Sequence, residues 1–177
     1  MTNLPAPMAF KRAPSLGVST WHFGGLVTYL AEAAETAGSY CLIEAVLRPG
    51  DEPPPHVHSR EDELFYVLDG RFDVHVGDQS FEVNEGGCVF MPRGKPHAFI
   101  VRSPRIHLLA LFTPAGIEEA FRAVCVPARV LDLPAEPIKP TSESLERSMR
   151  RLSELGVRLL APDEIASQMP SYHRALR

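Results

Sequence analysis

Residues 50–70 read GDEPPPHVHSREDELFYVLDG and residues 86–97 read GGCVFMPRGKPH. In the first stretch His56 and His58 stand at i and i+2. On an extended backbone such positions point to the same side, about 6–7 Å apart along the chain, so both imidazoles can converge on one ion. Glu63 opens the apolar run that follows, where a carboxylate can complete the cluster and offset part of the ion's charge. In the second stretch Pro92 and Gly94 shape a turn that can aim His97 back toward the same interior.

Outward from these stretches the chain has a β rhythm. Short apolar or alternating runs span 21–30, 40–47, 63–68, 71–76, 79–83, 88–91, 97–101 and 106–112. Pro49-Gly50, Asp69-Gly70, Gly77-Asp78, residues 84–87 and residues 92–96 separate them, and Gly, Asp and Pro are the residues that tight turns require. Closely spaced strands with such connections predict an antiparallel barrel or sandwich.

After Pro114 the period changes. Ile117, Phe121 and Val124 predict a short amphipathic helix over 115–125 that covers one end of the barrel. Pro127, Pro134, Pro137 and Pro140 then predict an extended surface strap without regular pairing. Thr141 or Ser142 can cap a second helix, with Leu145, Met149, Leu152 and Leu155 as its apolar stripe and Gly156 as its stop. Packing on the barrel of the same chain is the simpler fate of that stripe, docking on a partner subunit the other. Residues 157–160 predict a short strand, and the tail from Ala161 gives no clear signal.

With 177 residues the chain can build one sizeable core, and too few residues follow the strap for a second. Eighteen Lys and Arg against 22 Asp and Glu give a net charge of −4, which provides no field for phosphate backbones, so nucleic acid is not an expected partner. Arg147, Arg150, Arg151 and Arg158 read as the solvated face of a helix. Cys41, Cys88 and Cys125 are odd in number and set among apolar residues, the pattern of buried free thiols in a reducing compartment. Neither a leader peptide nor an apolar run of membrane-spanning length is present in the sequence given, so the expected location is the cytoplasm.

The two opening stretches resemble the paired motifs of the cupin superfamily, and the 15 residues between Gly70 and Gly86 match the short spacing of its microbial members. With 12 Gly and 7 His in the chain, the two glycines and two histidines of the first stretch would align by chance in roughly one such chain in a thousand. A lone histidine is ordinarily a core or surface residue; four groups at family spacing reverse that expectation. Of the three successive acids only Glu63 fits the spacing, and Glu61 and Asp62 are expected to be solvated. His22, His75, His107 and His173 fall outside the pattern and are expected to be structural or exposed. One departure is Val101, where the second motif commonly carries Asn, a residue that is not a ligand.

The resemblance implies an all-β fold, an antiparallel double-stranded β-helix or jelly-roll barrel over about 16–113, with a Pro-rich strap and short C-terminal helices over 114–177, all within one domain. It implies one divalent transition metal on His56, His58, Glu63 and His97. Such a donor set suits Fe, Mn, Ni, Co, Cu or Zn and leaves open positions on an ion that prefers six ligands. Phe65 and Phe99 share strand parity with Glu63 and His97, so they are expected to face the interior, as core or as a wall of a substrate pocket. A homodimer is also implied, and residues 4–19, rich in Pro and apolar side chains, read as an arm that packs on a neighbour or is disordered.

Residues 53–58, 63–70, 90–94, 113–116 and 155–157 extend the resemblance to single-domain bacterial cupins described as quercetin 2,3-dioxygenase-like. That implies a metal-dependent dioxygenase with a small oxygenated, flavonol-like substrate and Glu63 as the group that removes its proton. A non-catalytic cupin that binds a small ligand, or a metal-dependent isomerase, is the alternative, because one barrel hosts many functions.

Overall fold

A computed structural model describes residues 6–176. Leu4 and Pro5, where the expected arm begins, lie outside the described residues. Strands are numbered in chain order. One antiparallel sheet runs β11 (Val126–Pro127), β1 (Ser19–His22), β2 (Gly25–Ala31), β3 (Cys41–Leu47), β10 (Ile106–Thr113), β5 (Asp62–Asp69) and β8 (Cys88–Met91). The other runs β12 (Val157–Leu159), β4 (His56–His58), β9 (His97–Val101), β6 (Arg71–Val76) and β7 (Gln79–Asn84). The helices are α1 (Glu118–Arg122), α2 (Ser142–Glu154), α3 (Pro162–Gln168) and α4 (Pro170–Ala175). No described helix is long and apolar enough to cross a membrane.

The two sheets form the antiparallel barrel that the strand rhythm allows, in the jelly-roll form that the cupin resemblance implies, and side-chain alternation sets its interior. Phe65 and Val67 on β5, Phe72, Val74 and Val76 on β6, Phe99 and Val101 on β9, and Ile106, Leu108, Ala110 and Phe112 on β10 are buried in one cluster. Fully burying a side chain such as Phe72 stabilises the fold by about 1.5–3 kcal/mol. On the same inward positions, one step from Phe65 and Phe99, stand the polar residues Glu63 and His97.

Five expectations need correction. The run 21–30 is a hairpin, not one strand: β1 and β2 meet at a turn in which Phe23 has φ 53°. Gly24 follows it because a Cβ there would lie 1.9 Å from the Asp51 carboxylate. The strap does pair, since Val126 and Pro127 lie against Trp21 and Thr20. Pro127 is tolerated because β11 is an edge strand, where a missing N–H breaks no ladder.

Helix α1 is shorter than its stripe. The buried Glu118 carboxylate accepts hydrogen bonds from Ala33 N (2.8 Å) and Gly116 N (2.7 Å), which fixes the residues before it as a loop. Ile117 and Val124 are buried as the stripe predicts.

Helix α2 is capped by Thr141, whose Oγ1 accepts from Ser144 N. Only the second half of its stripe docks: Leu155 is buried and Leu152 packs on the core, whereas Leu145 and Met149 are 44% and 40% exposed. Buried Ser148 turns the helix toward α1 by donating to the Ala120 carbonyl (3.0 Å). The tail is ordered as α3 and α4, and Met169 packs with Leu160, Ala98, Val57, Ile165 and Tyr172 on the outer face of the shorter sheet. Its signal was Ile165, Met169 and Tyr172 at offsets of four and three.

All three thiols are free, but only Cys41 is buried; Cys88 is exposed on the edge strand β8 and Cys125 is half-buried.

Candidate metal centre

The centre is built where β4, β5 and β9 face one another. His56 and His58 lie on one side of β4 because a strand alternates, and the prolines at 53–55 deliver the chain to it extended. Glu63 opens β5, and His97 opens β9 directly after the turn at 92–96. Together His56, His58, Glu63 and His97 bring one ligand atom each to within 4.8 Å of one another. Glu63 Oε2 lies 3.1 Å from His97 Nε2 and 3.8 Å from His58 Nε2.

Each ring is held from behind. The Nδ1 of His56 is 2.9 Å from the Pro54 carbonyl and that of His97 is 3.0 Å from the Lys95 carbonyl, in both cases two residues back along the chain. His58 Nδ1 lies 3.3 Å from Glu61 Oε2. Carbonyls and carboxylates only accept, so each Nδ1 carries the proton and each Nε2 presents a lone pair to the centre.

The buried atoms His58 Nε2, His97 Nε2 and Glu63 Oε2 make no hydrogen bond. A buried polar group left unsatisfied costs about 1–3 kcal/mol, and here several acceptors point at one another. A cation resolves that conflict, and three imidazoles with one carboxylate are a donor set for a divalent transition metal, so the cluster fits such an ion.

In the protein alone, burial and the nearby His97 lower the His56 pKa to about 4, against the opposing pull of Glu63, so its imidazole stays neutral at neutral pH. Burial pushes the Glu63 carboxyl up, but His97, His58 and His56 together hold it below its ordinary value. Burial pulls His97 down, and the Glu63 carboxylate outweighs it, leaving a net rise.

Sequence reasoning missed three contributors. Glu61, expected to be solvated, is fully buried behind His58; three successive acids gave no sign of which would turn inward. Asp62 is engaged too, accepting from Arg93 N (2.9 Å), Nε (3.1 Å) and Nη2 (2.7 Å), which ties the start of β5 to the turn before His97. Phe112 packs its ring 6.2 Å from that of His58, and its signal was the inward parity of β10.

Phe65 and Phe99 are buried with Phe72 in an edge-on and tilted triad, ring centroids 5.6–5.9 Å apart. Outside the cluster, His22 contacts Phe121. His75 is buried with Nδ1 3.0 Å from Ser171 Oγ, and His107 Nε2 lies 2.7 Å from Glu44.

The sequence model of the Cupin domain family matches residues 43–114. An uncharacterized protein of Streptomyces coelicolor is 30% identical over 91 residues, 51% of this chain and 81% of that protein. Quercetin 2,3-dioxygenase of Bacillus subtilis is 22% identical over 99 residues, 56% of this chain but only 29% of that enzyme's length. Among solved structures, a Streptomyces PAC13 variant with uridine superposes with a TM-score of 0.50 at 14% identity, covering 63% of this chain and 88% of that one, which speaks to the fold alone. With the two motifs, the jelly-roll barrel and these likenesses in agreement, the chain belongs to the cupin superfamily.

Proposed function

We propose that the protein is a metal-dependent dioxygenase acting on a small oxygenated organic substrate of flavonol-like chemistry, with one divalent ion on His56, His58, Glu63 and His97. The observation that carries the metal is the convergence of buried, unpartnered Nε2 and Oε2 atoms within 4.8 Å. The oxygenase chemistry draws its support from the likeness to quercetin 2,3-dioxygenase.

A divalent ion bound there supplies Lewis-acid polarisation of a chelating oxygen and open positions for small ligands. The chain's own residues do the rest. Glu63 is the carboxylate placed to take the proton of an enolic hydroxyl, its Oε2 free to accept. The Pro54 and Lys95 carbonyls and the Glu61 carboxylate keep the imidazoles in one tautomer throughout. Phe112 and the triad that includes Phe65 and Phe99 keep water from the inner side, and the latter two are proposed as the apolar floor for a substrate ring.

Elemental analysis of protein purified without a metal-affinity tag tests the centre. About one equivalent of Fe, Mn, Ni or Co is expected in the wild type, and loss of it in His58→Ala. Oxygen uptake across a panel of flavonols and diketones then tests the reaction. Metal without oxygen uptake would favour a small-ligand binder or an isomerase, and no metal even after reconstitution would remove the centre itself.

We further propose a homodimer. Arg12 ties the arm to Glu35 of the same chain, yet Met8, Phe10 and Leu16 along it stay exposed. Sedimentation equilibrium at micromolar concentration tests this, and a monomer throughout would refute it.

A further inference from the structure

The centre contains a second buried carboxylate. Glu61 is 0% exposed, its Oε2 lies 3.3 Å from His58 Nδ1, and its Oε1 is buried with no hydrogen-bond partner. The nearby cation Arg93 is committed to Asp62, so the His58 ring is the contact that Glu61 keeps. Burying a carboxylate oxygen without a partner is costly in an apolar interior, and a second carboxylate, Glu63, stands on the other side of the same ring, 3.8 Å from His58 Nε2. Removing Glu61 would leave His58 without its acceptor, and retaining it leaves a buried carboxylate oxygen without a partner.

Both conditions are met at once by a divalent cation beyond His58. We propose that Glu61 is a positioning residue for the metal, the outer member of a carboxylate–histidine–metal relay that brings the centre to charge neutrality, with Glu61 and Glu63 together matching one divalent ion. The proposal rests on the metal reading above. In it Glu61 donates no electron pair to the ion; it accepts the His58 Nδ1 proton, holds the ring with Nε2 inward and makes that nitrogen a better donor. The same charge destabilises the protein when no metal is bound, so stability has been traded for affinity at this position.

That trade gives the test, which reads opposite signs in two states. Glu61→Gln keeps the shape and an acceptor for His58 Nδ1 but removes the charge. Wild type and E61Q are each melted without metal and with saturating Co(II), and Co(II) is titrated into the metal-free proteins. E61Q is expected to melt higher than wild type without metal, and to bind Co(II) about 10–100-fold more weakly. Glu61→Asp, which keeps the charge, should lie closer to wild type in affinity than E61Q does.

Equal Co(II) affinity in E61Q and wild type would overturn the proposal. So would an E61Q that melts lower in both states or does not fold, since that is the behaviour of a residue kept for packing. Wild type that takes up no Co(II) at all would overturn the underlying metal reading, an outcome distinct from the other two.

Discussion

His56 and His97 face each other as the register pair that joins β4 to β9, with ring centroids 4.5 Å apart. On its other side β4 pairs with β12 at three positions, His58 with Val157, Val57 with Arg158 and His56 with Leu159. Ser59 N donates to the Gly156 carbonyl and Leu160 N to the Pro55 carbonyl, each at 3.0 Å. The strand with two of the four candidate ligands is therefore held mainly by a segment beyond residues 43–114, the part that matches the Cupin domain.

Gly156 is the joint of that support. It has φ +80°, and a Cβ there would lie 2.0 Å from Ser59 Oγ, at the end of β4. Gly156→Val should cost about 1–3 kcal/mol, because a β-branched residue is strained in that conformation. It should also weaken metal binding by shifting the His56–His58 strand. Urea denaturation and Co(II) titration of the same variant measure both; a stability loss with unchanged affinity would show that β12 does not position the ligands.

Arg93 joins the two halves of the centre from outside. Its side chain forks onto Asp62 and its N–H donates to the same carboxylate, so the start of β5 and the turn before His97 move as a unit. Arg93 and its backbone N–H lower the Asp62 pKa to about 2. The pair lies at the surface, so Arg93→Ala should change stability by less than about 1 kcal/mol. Its larger effect should be on geometry, a several-fold weaker Co(II) affinity by titration.

The candidate ligands could be picked out together because their signal is local: His56 and His58 share a strand face, and turn residues flank Glu63 and His97. Strands 71–76, 88–91 and 97–101 have the bounds that the apolar runs predict. What local pattern could not show is long-range pairing. Nothing in Val157-Arg158-Leu159 says that its partner is His56–His58, about a hundred residues earlier. Nor does the run Glu61-Asp62-Glu63 say that Glu61 turns under His58 while Asp62 turns out to Arg93. The stripe of α2 was right in period, but whether Leu145 and Met149 find a surface depends on where α1 ends.

Phe99 separates packing from substrate contact. Its ring meets Phe65 and Phe72 edge-on at 5.6 Å, and all three are buried. A ring enclosed in this way should cost about 3–5 kcal/mol when cut to alanine. Phe99→Leu keeps most of the volume and should cost less than about 1.5 kcal/mol, leaving a folded protein on which a change in KM can be read. A loss below about 1 kcal/mol for Phe99→Ala by urea denaturation would show that the ring is not held by the triad.

His22 gives the fold a pH dependence away from the centre. Burial beside Phe23 and Phe121 lowers its pKa from 6.5 to about 4 in the folded protein. Between those values the unfolded chain binds the proton and the folded one does not, so acid favours unfolding. The contribution is complete above about pH 6.5 and is lost progressively as pH falls toward 4, on the order of 2 kcal/mol once the roughly 3 kcal/mol of the full shift is discounted for the solvent that half-buried His22 still meets. His22→Phe keeps an aromatic ring against Phe121 and removes the titration. Urea denaturation of metal-free protein at pH 7.5 and pH 5 should therefore show a smaller loss of stability in the variant than in wild type. An equal loss in both would mean that His22 reaches water when charged and is not enclosed by those rings.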